Sequence, residues 1–330
     1  MIGLAVIGLG NAVEPHAKSL HDLRDRVRVM WAVGRTSARA SVAERHNWPF
    51  TTDLHRALHD AAVQTVLILT PANHHLDVAE TAFAAGKHVL CEKPLETTVG
   101  NAERLVQAGR RSGRRLGVVL QMRFRAGSCR LREALISNEL GVVQAASLSV
   151  PWWRPQSYYD QPGRGTRSQD GGGVLITQAI HTIDLFRWLV GISKIDAAHI
   201  RQTALHRMET EDYAAALIRL GNGAPGTLTA TTAAYPGRRE CIEIIGTFGS
   251  AHLEGGSLLL SFLDGRKEEL RDKGGSGGGA NLMGFSHEPH KALLTDFLDA
   301  IETERDPAIP GEEALATQRV IDDILAKGTA

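Results

Sequence analysis

Short apolar runs separated by stretches of helical periodicity open this chain. β-rich runs fall at Ile2–Ile7, Arg28–Val33, Thr65–Leu69, Lys87–Cys91 and Leu116–Leu120, and between them segments such as Asp77–Ala85 and Val99–Arg111 repeat their apolar residues at helical spacing. Strands alternating with helices predict parallel pairing through right-handed crossovers, hence a doubly wound sheet. Beyond residue 121 the pattern changes. A helix over Ser128–Glu139, a strand over Val142–Val150, an aromatic, arginine-bearing loop over Trp152–Gln169 and a glycine-opened helix over Gly171–Val190 come first. Six β-rich runs follow, at Ala197–Leu205, Tyr213–Leu220, Gly226–Tyr235, Arg239–Thr247, Ala251–Glu254 and Ser257–Leu263. Strands with no helices between them predict a mostly antiparallel sheet. Two helices, around Glu288–Glu304 and Glu312–Ala326, close the chain, and Gly274–Gly279 reads as a flexible loop by composition. The expected architecture is α/β: a doubly wound parallel sheet over 1–121, then an α/β domain with a large open, mostly antiparallel sheet over 122–330.

Composition narrows the function classes. At 330 residues, with 43% hydrophobic and 22% charged positions, the chain has enough core for two domains. Zero formal net charge argues against a nucleic-acid binder, which would carry a basic surplus. The apolar start Met1–Gly10 lacks a basic flank and is only strand length, so no export signal is expected, and no stretch approaches bilayer length. Cys91, Cys129 and Cys241 show no paired metal spacing, and His74-His75 and His287…His290 lack a third ligand at useful spacing, so no metal site is expected. A reduced, cytoplasmic setting fits these thiols. Only eight of the 37 cationic residues are lysine, so a lysine in a functional motif was not interchangeable with arginine.

The first strand runs straight into Gly8-Leu9-Gly10-Asn11-Ala12-Val13 and a helix. The first glycine permits the tight turn, the second lets the backbone approach a pyrophosphate, and the N–H groups around Asn11 and Ala12 open the helix toward the phosphates. Val13 stands where a third glycine or alanine is usual. A dinucleotide is the expected cofactor. At the end of the second strand an acid would bind the ribose 2′-hydroxyl and select NAD. Instead the chain reads Gly34-Arg35-Thr36-Ser37, whose guanidinium and hydroxyls suit a 2′-phosphate. NADP is therefore favoured over NAD, although Thr36 or Ser37 as an ordinary helix cap beside a surface arginine is the alternative.

Two motifs carry candidate chemistry. Glu92-Lys93-Pro94 comes directly after the run Lys87–Cys91, at the edge where ligands bind in such sheets, and Lys93 can exchange a proton where arginine cannot. The alternative is a surface Glu–Lys pair. In the glycine-opened helix, Thr177, His181 and Asp184 recur at i, i+4 and i+7 beside Gln178, opposite a broad apolar face. That narrow polar stripe is read as aimed into a cleft, against a solvated outer face as the alternative. Arg123, Arg154, Arg164, Arg167, Tyr158 and Tyr159 could meet an anionic substrate, or form ordinary loop salt bridges.

Gly-x-Gly after the first strand, Thr70-Pro71 with Asn73 and His75 after the run Thr65–Leu69, the stretch Ala85–Leu95 containing Glu-Lys-Pro, Arg123-Phe124, the Gly-Gly-Gly…His-x-x-Asp helix and Pro310–Leu315 together resemble the glucose–fructose oxidoreductase / inositol dehydrogenase / MocA family. The resemblance spans nearly the whole chain. It implies a Rossmann domain followed by an α/β domain whose open sheet makes a homodimer or homotetramer. It also implies hydride transfer between NAD(P) and a hydroxyl or keto carbon of a sugar, cyclitol or derivative. By the same resemblance Lys93 and His181 form the proton-transfer pair and Lys93–Pro94 is cis. Thr70, Pro71, Asn73, His75, Glu92, Lys93 and Arg164 would line the cofactor, while Arg123, Tyr158, Thr177, Gln178 and Asp184 would meet substrate. Many relatives carry Asp where this chain has Thr177, which points to a different substrate or proton path. Rival readings are a non-catalytic dinucleotide sensor or scaffold, and an enzyme that recycles a tightly bound NAD(P).

Overall fold

The computed structural model describes residues 1–10, 12–272 and 286–329. The chain divides into two compact units, Met1–Gln121 with His287–Ala316, and Met122–Ser286 with Thr317–Ala330. Among the described residues no helix is long and apolar enough to cross a membrane.

In the first unit, strands β1 (Ile2–Ile7), β2 (Val27–Val33), β3 (Phe50–Thr51), β4 (Thr65–Ile68), β5 (His88–Cys91) and β6 (Leu116–Val118) form one sheet in the order β3-β2-β1-β4-β5-β6. Every pairing is parallel. Helices cover both faces of such a sheet, so its inner strands read as unbroken apolar runs, and every residue of β1 and β4 is buried. The order reverses between β1 and β4. Register aligns Ile7 with Val33 on one side and Ile68 on the other, and Ile68 with Cys91, so the loops after β2, β1, β4 and β5 leave from one edge. That edge beside the reversal is where an α/β sheet binds ligands.

A division at residue 121 misplaces the segment 287–316, which belongs with the parallel sheet. The reason is an apolar face that the first 121 residues leave bare. Helix Glu288–Glu302 buries Leu293, Leu294, Phe297 and Leu298. Phe297 lies so close to β6 that a Cβ on Gly117 would come within 2.7 Å of its ring, and the Val118 N–H donates to the Ile309 carbonyl at 3.0 Å.

The second unit is built on β7 (Val143–Pro151), β8 (Ile192–Arg201), β9 (Tyr213–Leu220), β10 (Pro225–Thr231), β11 (Cys241–Gly246), β12 (Gly249–Glu254), β13 (Ser257–Phe262), β14 (Lys267–Leu270) and the two-residue β15 (Gly328–Thr329). Their order is β14-β13-β12-β11-β7-β10-β9-β8-β15. Among the described residues only β7–β10 and β8–β15 pair in parallel; the rest are antiparallel. Burial alternates residue by residue in β9, β10 and β12, so one face is packed and the other open. Strand β8 begins five residues before its expected start, and β14 was not foreseen because Lys267-Glu268-Glu269-Leu270 carries little strand signal. The loop expected at Gly274–Gly279 lies outside the described residues.

The glycine-opened helix departs from its expected form. Residues 171–173 are not helical, a π-helical turn spans Leu175–Ala179, and the α-helix proper is Ile180–Val190. The wider turn breaks the 3.6-residue spacing that aligned Thr177, His181 and Asp184 on one stripe. Thr177 and His181 remain partly exposed; Asp184 is fully buried.

Candidate active site

The first unit supplies four loops at one sheet edge. Gly8 has φ +98°, and a Cβ there would sit 2.7 Å from the backbone of Leu69 and Thr70, so both conformation and space demand glycine. Gly10 has open space where a Cβ would project. Ala12 then caps helix Val13–Asp22 with no side-chain hydrogen bond to its first N–H groups, and Pro15 sits in the first turn as expected. Asn11 lies outside the described residues. After β2, Arg35, Thr36 and Ser37 are all exposed, and Thr36 makes no capping bond to the short 3₁₀ turn that follows. Arg39, which sequence reasoning missed, donates from Nη1 to the Leu9 carbonyl at 3.4 Å and so reaches the glycine loop. No pattern marks it among so many arginines.

After β4, Thr70 Oγ1 and Asn73 Oδ1 are buried with no hydrogen-bond partner, and Pro71 is exposed beside them. Two orphaned polar atoms are costly unless a ligand meets them. Together with the space at Gly10 and the uncapped helix start, they fit a dinucleotide. His75 has a different place from the one expected. It is buried, with Nε2 2.8 Å from the Thr70 carbonyl and Nδ1 2.9 Å from that of Pro94, so it ties the β4 and β5 loops together rather than lining a ligand. Burial lowers its pKa.

After β5, the Lys93–Pro94 bond is cis. Glu92 faces inward, 2.8 Å from His16 Nε2, and accepts the Lys93 N–H at 3.1 Å. Burial would raise the Glu92 pKa, but the His16 hydrogen bond and the neighbouring positive charges outweigh it and hold the pKa at about 2. The carboxylate is thus ionised and fixes the start of the turn that carries Lys93, which is half-buried. His290 edges against the His16 ring with centroids 5.2 Å apart, a gathering of three residues that no sequence spacing foretold.

A folded pKa below the ordinary carboxylate value means that Glu92 contributes stability above pH 4.5 and loses it as pH falls toward about 2. At one pKa unit per 1.36 kcal/mol the contribution at neutral pH is roughly 3 kcal/mol. Glu92→Gln is therefore expected to unfold more easily at pH 7 and to flatten the stability curve between about pH 4.5 and 2, the interval between the unfolded and folded pKa. Urea titrations of both proteins across that range check this.

The second unit holds the other candidates. Glu211 accepts hydrogen bonds from the Gly173 and Leu175 N–H groups at 3.1 and 3.2 Å, and a Cβ on Gly173 would lie 1.8 Å from the Glu211 carbonyl oxygen. That close approach requires glycine at position 173. The Thr177 hydroxyl donates to the Gly173 carbonyl at 2.6 Å and also contacts Gln178 Oε1; Gln178 Nε2 donates to the Tyr158 hydroxyl at 3.2 Å. Arg164 stacks over the Tyr158 ring at 5.1 Å and lies 3.7 Å from Asp170. Tyr158, Gln178, Thr177 and Arg164 therefore form one cluster.

Arg123 and Asp184 do not join that cluster. Arg123 Nε and Nη2 meet both Asp184 oxygens at 2.7 and 2.6 Å, with exposures of 4% and 0%, and Thr317 donates to Asp184 at 2.8 Å. Both oxygens are committed, so the expected substrate role of Arg123 and Asp184 is replaced by an internal ion pair. Tyr159 is likewise buried, its hydroxyl 2.6 Å from Thr232, and burial raises its pKa. Arg167 is exposed near Glu209. Arg154 is buried against Trp152 and Tyr158. Its backbone carbonyl meets His206 Nε2 at 2.8 Å, and Asp212 holds the other ring nitrogen at 2.6 Å. His206, Glu211 and Asp212 escaped the sequence reading; His206 and Glu211 reach partners 52 and 38 positions away, while Asp212 closes a local loop onto Thr203 and His206.

A parallel sheet with this glycine loop and this lysine-bearing turn defines an NAD-binding oxidoreductase. Residues 2–120 match the oxidoreductase family with an NAD-binding Rossmann fold, and residues 129–252 match the GFO/IDH/MocA C-terminal domain. The chain belongs to the GFO/IDH/MocA oxidoreductase family. It is 23% identical over 323 residues to myo-inositol 2-dehydrogenase of Thermotoga maritima, covering 94% of this chain and 91% of the relative. It is 28% identical over 290 residues to 1,5-anhydro-D-fructose reductase of Ensifer adhaerens, covering 84% and 82%. Among solved structures it resembles the WlbA dehydrogenase of Bordetella pertussis in complex with NADH and UDP-GlcNAcA, at TM-score 0.84 and 25% identity, covering 99% and 96%.

Proposed function

We propose that this chain is a dehydrogenase or reductase acting on a hydroxyl or keto carbon of a sugar, cyclitol or sugar derivative, with Lys93 and His181 as its proton-transfer pair. The observation that carries the reading is Lys93 on the cis-proline turn at the ligand edge of an NAD-binding sheet, held by an ionised Glu92. The nicotinamide dinucleotide, when bound, supplies the hydride acceptor or donor. In the oxidative direction Lys93 takes the proton of the substrate hydroxyl as general base, and His181 orients that oxygen or relays the proton. Tyr158, Gln178, Thr177 and Arg164 hold the rest of the substrate, with Arg164 also reaching the cofactor. Gly8, Gly10, Asn11, Ala12, Thr70, Pro71 and Asn73 hold the dinucleotide, and His75 fixes two of their loops.

NADP is the favoured form, because Arg35, Thr36 and Ser37 are exposed after β2 and no acid stands among them. The NADH complex of the related WlbA enzyme favours NAD as the second reading. The open sheet face, with Leu217 57% and Ile245 56% exposed, supports assembly of like chains through that face, and three free thiols suit a cytoplasmic setting. The test is a screen of sugars, sugar acids and cyclitols with NAD⁺ and NADP⁺, following absorbance of the reduced cofactor. Turnover of one substrate class, faster with NADP⁺, is the expected result. A cofactor that stays bound and never exchanges would instead favour internal recycling.

A further inference from the structure

On the open face of the second unit's sheet, β11 and β12 bring three ligand-type side chains together. Glu243 stands directly opposite His252 in the antiparallel register, and Cys241 is their diagonal neighbour, paired with Glu254. Cys241 Sγ lies 3.6 Å from His252 Nδ1, and that same nitrogen lies 3.4 Å from Glu243 Oε1. All three ligand atoms fall within 4.8 Å of one another.

These separations have a specific meaning. Zinc binds thiolate at about 2.3 Å and imidazole or carboxylate at about 2.0–2.2 Å, so the edges of its tetrahedron are about 3.6 Å between sulfur and nitrogen and about 3.4 Å between nitrogen and oxygen. The shorter sulfur contact and the carboxylate contact have those lengths and share Nδ1 of His252, with Nε2 a little farther from the sulfur at 3.9 Å. They are long for hydrogen bonds that a charged pair would draw shorter. Two paired strands fix the Cβ positions, so ligand entry demands little rearrangement.

We propose that Cys241, Glu243 and His252 form a divalent zinc site on the outer face of the sheet. The ligand set is the soft-to-borderline mixture that zinc takes. Burial, and then the carboxylates of Glu243, Glu254 and Glu240, push the Cys241 thiol up to about 11. The same carboxylates draw a cation to the site, and the metal must displace the thiol proton to bind. None of these residues takes part in the proposed redox chemistry, so the two proposals stand or fall separately.

The experiment uses the purified full chain, titrated with Co²⁺ and then displaced with Zn²⁺, with metal content measured after gel filtration. One equivalent of Co²⁺ giving sulfur-to-cobalt charge-transfer absorption, and lost to Zn²⁺, is the expected result. Cys241→Ser should abolish that absorption, and His252→Asn, which keeps the sulfur, should weaken binding by about tenfold or more by removing a ligand. Circular dichroism checks that both variants fold. Absence of sulfur-to-metal absorption at one equivalent overturns the proposal. So does metal binding that survives both substitutions, as it would if the metal sat at His16, Glu92 and His290.

Discussion

Lys93→Ala is expected to lower kcat by about 10²–10⁴-fold, the usual contribution of a positioned general acid or base. Dinucleotide affinity, measured by quenching of protein fluorescence, should stay nearly unchanged. The contacts proposed for it are distributed over the glycine loop, the β4 loop and the open start of helix Val13–Asp22. The size of the effect reflects the groups left in place. Alanine removes the proton acceptor but leaves Glu92, still bonded to His16, to hold the turn. Lys93→Arg is the sharper control, because it keeps the charge and cannot release a proton at any working pH. A lysine that acted only as a charge would be rescued by arginine; a base would not. If Lys93 and His181 work as one unit, the double variant should be little slower than the worse single variant, since groups acting together are strongly non-additive. Turnover that survives Lys93→Ala would remove the proposed mechanism.

Asp184→Ala is expected to destabilise the protein by about 3–5 kcal/mol, because it removes the bidentate partner of the buried Arg123 guanidinium. Arg123 is 4% exposed and Asp184 fully buried, and the pair is bidentate. The Thr317 hydroxyl would also lose its acceptor. Replacing both partners with apolar residues of similar volume, Arg123→Met with Asp184→Leu, should cost less than either single change, since neither member of the bidentate pair is then left over. Guanidinium denaturation of the two single variants and the double variant measures the coupling directly. A residue that met substrate from a cleft would behave in the opposite way, shifting KM while leaving the midpoint of unfolding almost unmoved. A loss of stability below about 1 kcal/mol would therefore return Asp184 to the substrate cluster, since losses that small are what exposed pairs show.

Local pattern was sufficient for much of the fold. The unbroken apolar runs of β1 and β4 and the alternating burial of β9, β10 and β12 express the two strand environments directly. Gly8 was legible because a turn between a first strand and a helix admits no side chain. The glycines at 171–173 were legible as a helix start, but their cause was not. Gly173 is required by the carbonyl of Glu211, 38 positions away, whose side chain also accepts the Gly173 N–H.

The stripe of Thr177, His181 and Asp184 shows where periodicity misleads. Its spacing assumed 3.6 residues per turn throughout, whereas the π turn at Leu175–Ala179 shifts the phase between Thr177 and the residues of helix Ile180–Val190. His75 fails for another reason. Sequence ties it to the β4 loop but not to Pro94, and it is the second contact that takes up its ring.

What the residues determine unaided is whatever depends on near neighbours: strand or helix, buried or half-buried, turn or cap, and a lysine set at the end of a strand. What tertiary structure alone decides is the partner of each polar group. Arg123 finds Asp184 across 61 positions and His16 finds Glu92 across 76, while helix Glu288–Glu302 returns to cover the first sheet. A buried charge or hydrogen-bonding group must be paired wherever the chain happens to bring a complement, and that geometry is fixed only once strands and helices have packed.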